Sequence, residues 1–180
     1  METNLKSNSS HDWMDDIFSS YDAQSPNAYT VLTGGPLAPN LRGNVFFYQV
    51  KGGVYVCAYI MNIPNLNTSN LSNAFHGLHI HQNASCDIGN PSNPFEAAGD
   101  HYNPSNQPHP MHAGDLPSIL ANDGTGILCC YTNRFNVSDI IGKALILHEN
   151  PDDYVTQPSG NSGRRLACGI ILPYVNSSRK

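Results

Sequence analysis

The chain has 180 residues, only 13% of them charged, and a formal net charge of −5. That acidic balance argues against a nucleic-acid partner. No run of eighteen or more apolar residues exists to suggest a membrane-spanning helix. The length suits one domain with a real core, and 15 Gly with 13 Pro point to an all-β domain with long ordered loops.

Residues Met1 to Ser10 are polar and hold no apolar stretch, so no secretory signal is expected and the expected location is cytoplasmic. Next, Trp13, Ile17 and Tyr21 recur four apart with Met14 and Phe18 beside them. That is one face of a short helix over 11–21, with Asp12 helping its first turn. It reads either as a segment docked on the core or as a contact with a partner subunit. Residues 1–26 therefore form an extension, 27–173 the domain and 174–180 a polar tail.

Strand signals follow at 28–33, which Gly34, Gly35 and Pro36 end, and at 43–50. Gly52-Gly53 is expected to turn the chain tightly into a strand at 54–60. An Asn/Ser-rich loop at 62–74 leads to a strand at 75–81. A long loop spans roughly 83–118, and loops of that length are usually functional or disordered. Further strands are expected at 124–132, 143–148 and 166–172, with one helical turn at 137–141 and a second polar loop at 149–163. About seven or eight short strands with turns between them imply an all-β sandwich or Greek-key barrel carrying two long loops.

Five of the eight histidines fall within residues 77–115. His79 and His81 are two apart, so on a strand both imidazoles share a face and form half a site for copper or zinc. His101, His109, His112 and Asp115 lie in Pro/Gly/Asn-rich sequence that can fold around one ion. Three ring nitrogens and a carboxylate oxygen make a tetrahedral zinc set. Of the five cysteines, Cys57, Cys129 and Cys130 lie in apolar β-rich segments, where buried inert thiols are expected.

Gly77-Leu-His79-Ile-His81, Ala98-Gly-Asp-His101-Tyr-Asn-Pro104, His112-Ala-Gly-Asp115-Leu and Gly160-Asn-Ser-Gly-Arg-Arg165-Leu-Ala-Cys168-Gly169 occur in that order. Together they resemble the copper/zinc superoxide dismutases over about residues 28–172, with loop wording closest to bacterial members. The resemblance implies an eight-stranded Greek-key barrel that converts superoxide to dioxygen and hydrogen peroxide by one-electron cycling of copper. It implies copper held by His79, His81, His101 and His148, and zinc held by His101, His109, His112 and Asp115, so that His101 bridges the two ions. Asp152 would link a copper histidine to a zinc histidine, Arg165 would stand beside copper, and Cys86 would be bridged to Cys168. Such a bridge closes a loop of about eighty residues, worth roughly 4 kcal/mol in the chain-entropy picture. Family members are often homodimers.

Three features depart from the familiar eukaryotic pattern. The 152–165 loop is short and holds no Lys or Glu between Tyr154 and Gly163, so charged guidance residues are missing there. Arg164 precedes Arg165, and spacing to Cys168 favours Arg165. Residues 1–26, His11 and His76 match nothing in the family. Two other functions fit a metal-binding chain: copper delivery on the same fold without turnover, and zinc hydrolysis. The copper set together with Arg165 speaks against the first. A zinc set already full at four ligands speaks against the second.

Overall fold

The computed structural model of the protein describes residues 25–64 and 74–175. The helix expected over 11–21 lies outside the described residues, as do most of the 62–74 loop and the last five residues. The strands are β1 (Ala28–Gly34), β2 (Arg42–Val50), β3 (Gly53–Met61), β4 (Phe75–His81), β5 (Gly89–Asn90), β6 (Asn93–Pro94), β7 (Asp115–Asn122), β8 (Thr125–Thr132), β9 (Ala144–His148), β10 (Arg165–Ile170) and β11 (Leu172–Pro173). A single helical turn, α1, covers Val137–Ile140.

Eight antiparallel strands close into a barrel in the order β1, β2, β3, β8, β7, β4, β9, β10, and β10 returns to β1. Closure leaves no long unpaired edge. Two corners are thin. β7 meets β8 only through Ala121–Gly126 and Asn122–Thr125. β1 meets β10 only through Thr33–Cys168 and Gly34–Ala167. The barrel is therefore flattened toward a sandwich. Alternation fills its interior: β3 turns Val54, Val56, Ala58 and Ile60 inward to meet Val45, Phe47, Leu78, Ile80, Ile119 and Leu145.

One turn and one strand differ from expectation. Val50 pairs with Gly53, so Lys51 and Gly52 are the central turn residues, with φ +83° at Gly52. More consequentially, β7 occupies residues assigned to the long loop and the gap after it. The exposed Pro117 interrupts its alternation and masked it. A two-residue hairpin turn follows at Asp123 and Gly124, both with positive φ, +48° and +74°, so Gly124 belongs to the turn and not to the strand expected from 124.

The cysteine expectation changes as well. Cys57 and Cys129 stand opposite each other on β3 and β8 and are bridged, whereas Cys130 alone is free. Both bridged residues lie on the outward side of their strands, which is why they are not core thiols. Cys130 points inward, and burial pushes its thiol up to about 11.

The chain from Gln82 to Gly114 roofs the outer face of β4 and β9. A second small core forms beneath it from Phe95, Ala98, Ala144, Ile146 and Cys168, with Cys86 against it. The bridge between Cys86 and Cys168 ties this roof to β10. The roof gives β4 and β9 two buried faces, so polar residues on the outer one are sealed from water.

Candidate metal centre

His79 and His81 sit on that outer face of β4 while Leu78 and Ile80 enter the barrel core. His148 ends the neighbouring β9, and Leu78 pairs with Leu147 beside it. His101 comes from the roof. A bridge pairs His81 with His101, and Tyr102 N–H donates to the Ile80 carbonyl at 2.7 Å. Ile80 N–H in turn donates to the Gly114 carbonyl at 2.9 Å. A Cβ on Gly114 would come within 2.3 Å of the Ile80 carbonyl oxygen, so only glycine lets the roof close here.

The structure brings together two groups whose ligand atoms lie within 4.8 Å of one another. They are His79, His81, His101 and His148, and His101, His109, His112 and Asp115. His101 belongs to both. All seven residues are at most 9% exposed.

Asp152 fixes two of the rings. Its Oδ2 accepts from His79 Nε2 at 2.9 Å and its Oδ1 accepts from His109 Nε2 at 2.8 Å. Because a carboxylate accepts, the protons sit on Nε2 and both Nδ1 atoms carry lone pairs. A Cβ on Gly160, whose φ is +67°, would fall 1.9 Å from Asp152 Oδ1, so the second loop needs glycine there to pack against the carboxylate. His81 Nδ1 donates to the Gly99 carbonyl at 2.8 Å, and His148 Nδ1 faces the Gly163 carbonyl at 3.3 Å. The remaining Nε2 atoms of His81 and His148 point at each other 3.3 Å apart. Asp115 Oδ1 lies 2.7 Å from His101 Nδ1, and its Oδ2 lies 3.1 Å from His109 Nδ1.

Four buried ring nitrogens make no hydrogen bond: Nδ1 of His79, His109 and His112, and Nε2 of His101. Asp115 comes within 3.1 Å of His109 Nδ1 and 3.3 Å of His112 Nδ1, but with the His109 proton on Nε2 that approach sets acceptor against acceptor. Buried polar atoms are nearly always paired. Four orphans aimed into two ligand groups offer the lone pairs that two cations would satisfy. The chemistry agrees. Burial, then the neighbouring imidazoles, hold His79, His81 and His148 well below the ordinary histidine range, so their lone pairs are free at neutral pH. Burial alone would raise Asp115, but its hydrogen bond to His101 and the surrounding histidines outweigh that and lower it.

An open cleft of about 640 Å³ leads to the first group, bounded by His81, His101, His148, Arg165, Glu96 and Asp100. Arg165 donates to the carbonyls of Phe95 and Gly99, the latter at 2.7 Å. Arg164 points elsewhere and pairs with Glu149 through two contacts of 2.7 and 2.8 Å.

Two residues had no assigned part. His76, 1% exposed, has its Nδ1 2.9 Å from the His148 carbonyl and so supports the backbone of that histidine. Gln157 clasps the backbone of His109, accepting from its N–H at 3.0 Å and donating to its carbonyl at 2.6 Å. No local pattern announces either contact, because both partners lie far away in sequence.

The family profile described as copper/zinc superoxide dismutase matches residues 41–171. A superoxide dismutase [Cu-Zn] of Deinococcus radiodurans is 38% identical over 124 residues, 59% of this chain and 68% of that protein. Superoxide dismutase [Cu-Zn] 1 of Aquifex aeolicus is 31% identical over 144 residues, 72% of this chain and 79% of that protein. The human copper chaperone for superoxide dismutase is 37% identical over 161 residues, 82% of this chain and 54% of that protein. With its closed Greek-key barrel and two converging histidine groups, the chain belongs to the copper/zinc superoxide dismutase family, oxidoreductases that use copper and zinc and take superoxide as substrate.

Proposed function

We propose that His79, His81, His101 and His148 hold copper, that His101, His109, His112 and Asp115 hold zinc, and that the His101 imidazole is shared. The observation that carries this reading is the set of four orphaned ring nitrogens, each in one of the two groups. Copper when bound supplies a one-electron couple, and zinc is redox-silent. The balance is two superoxide anions and two protons giving one dioxygen and one hydrogen peroxide.

The chain's residues do the rest. Arg165 is a fixed cation at the cleft, and its forked donors suit a small oxyanion. His101 Nε2 holds a proton during the cycle and passes it to the departing peroxide. Asp152 keeps His79 and His109 in the Nδ1-free tautomer throughout. The roof keeps bulk water from the outer face of β4 and β9, which strengthens each of these charges.

The test is metal content by mass spectrometry on protein loaded with both ions, with dismutation assayed on the same sample. About one copper and one zinc per chain, with activity lost on copper removal, is the expected result. His148→Ala should abolish dismutation while retaining zinc; full activity in that variant overturns the copper set. Both metals without turnover would instead favour copper delivery.

We also propose a homodimer through the exposed ends of β4 and β7. Phe75 and Leu120 face each other there and are 44% and 40% exposed. Sedimentation of Leu120→Glu against the parent protein tests it: a parent monomer at high concentration overturns the assembly.

A further inference from the structure

Arg134 touches three successive residues of the segment that carries His109 and His112. Its Nη1 donates to the Pro110 carbonyl at 2.7 Å and to the His112 carbonyl at 3.3 Å, and its Nη2 faces Met111 Sδ at 3.9 Å. The segment has few donors with which to order itself. Pro108 and Pro110 carry no N–H. His109 N–H goes out to Gln157. Met111 N–H turns back to the Pro108 carbonyl at 2.8 Å, and Asp115 N–H meets the His112 carbonyl only at 3.3 Å.

The stem of Arg134 is anchored on both sides. Its N–H lies 3.3 Å from Thr132 Oγ1, at the end of β8. Phe135 beside it is buried in the barrel core, Asn136 caps α1, and Val137 N–H donates to Gln49 Oε1 at 2.8 Å. A planar guanidinium on a fixed stem ties the turn at 110–112 to the barrel wall. Arg134 and Asp115 line one cavity of about 390 Å³, so its charge also stands close to the second ligand group.

We propose, resting on the zinc reading of that group, that Arg134 is a positioning residue for zinc. It sets the turn so that Nδ1 of His109 and Nδ1 of His112 are held toward Asp115. Charge and positioning predict opposite signs. As a charge alone, the guanidinium repels a divalent cation, and its removal would tighten zinc binding. As a positioning residue, its removal loosens two of the four ligands and weakens zinc binding.

Competition of the metal-free protein with a chelating dye, run separately for zinc and copper, reads the difference. Arg134→Ala should bind zinc about 10-fold more weakly, the lower end of what losing an outer partner of a metal ligand costs. Copper affinity and the melting temperature of the metal-free protein should stay near the parent's. Arg134→Lys keeps the charge and a donor and should fall between the two. Arg42→Ala is the matched control, because Arg42 also donates to two backbone carbonyls, those of Pro39 and Leu41, in the β1–β2 connection. Its zinc affinity should equal the parent's. Unchanged or tighter zinc binding in Arg134→Ala overturns the proposal. An equal loss in Arg42→Ala, or a loss of zinc and copper affinity together with a lower metal-free melting temperature, overturns it by making the effect one of general stability. A parent protein that binds copper but no zinc overturns the zinc set itself, and the role of Arg134 with it.

Discussion

Arg165 stands directly opposite His148 on the β9–β10 ladder, so the cation of the cleft and a candidate copper ligand are cross-strand neighbours. Register alone fixes the separation, and two backbone carbonyls then steer the guanidinium. One of them, Gly99, also accepts from His81. Arg165→Ala should therefore slow turnover about 10- to 100-fold, the weight of one charged hydrogen-bond donor, at unchanged copper content. Arg164→Ala should do little, since it removes a surface ion pair worth about 0.2–1 kcal/mol. Steady-state kinetics with metal analysis on both variants checks this, and swapped results would reverse the assignment.

The cleft mouth bears on salt dependence. Among the described residues that line it, Arg165 is the one Lys or Arg, and Glu96 and Asp100 stand on the same rim. These carboxylates oppose the approach of an anion. Glu96→Gln with Asp100→Asn should raise kcat/KM about two- to fivefold at low ionic strength, with the gain fading as salt screens it. Asp87→Asn with Asp123→Asn, which removes the same charge away from the cleft, should leave the rate near its starting value. An equal gain from both pairs would mean that only net charge matters.

The two histidine groups that the structure brings together were legible because each member lies in a local motif: a strand-alternating pair, a Pro/Gly-rich loop and a strand end. What escaped reading is what long-range packing decides. β7 was hidden because Pro117 breaks its pattern, although Asp123-Gly124 marked its hairpin. The bridge between Cys57 and Cys129 depends on β3 and β8 meeting in one particular register, across 72 residues of chain. His76 contacts a backbone atom 72 residues away, for which no spacing rule exists.

Asp152 joins the two ligand groups, so its loss should be felt in both. Asp152→Ala leaves two buried N–H groups without acceptors and frees the tautomers of His79 and His109. Affinity for each metal should fall about 10- to 100-fold. Asp152→Asn, which keeps one acceptor, should fall between. Competition titration against a chelator reads both metals in one experiment. A loss confined to zinc would mean that the contact to His79 is dispensable.

Thiol chemistry separates the three outward and inward cysteines. With Cys57 bridged to Cys129 and Cys86 to Cys168, Cys130 alone should titrate with a thiol reagent in denaturant without reductant. In the folded protein it should stay unreactive at pH 8, because burial raises it to about 11 against an ordinary 9.0 and keeps it neutral. The sign for stability follows. The folded state holds its proton more tightly, so the contribution is complete below about pH 9 and is lost as pH rises from there toward 11. Melting temperature should therefore fall between pH 9 and 11 by more in the parent than in Cys130→Ala. Three reactive thiols in denaturant would show that Cys57 and Cys129 are not bridged, and rapid native labelling of Cys130 at pH 8 would show that β8 opens.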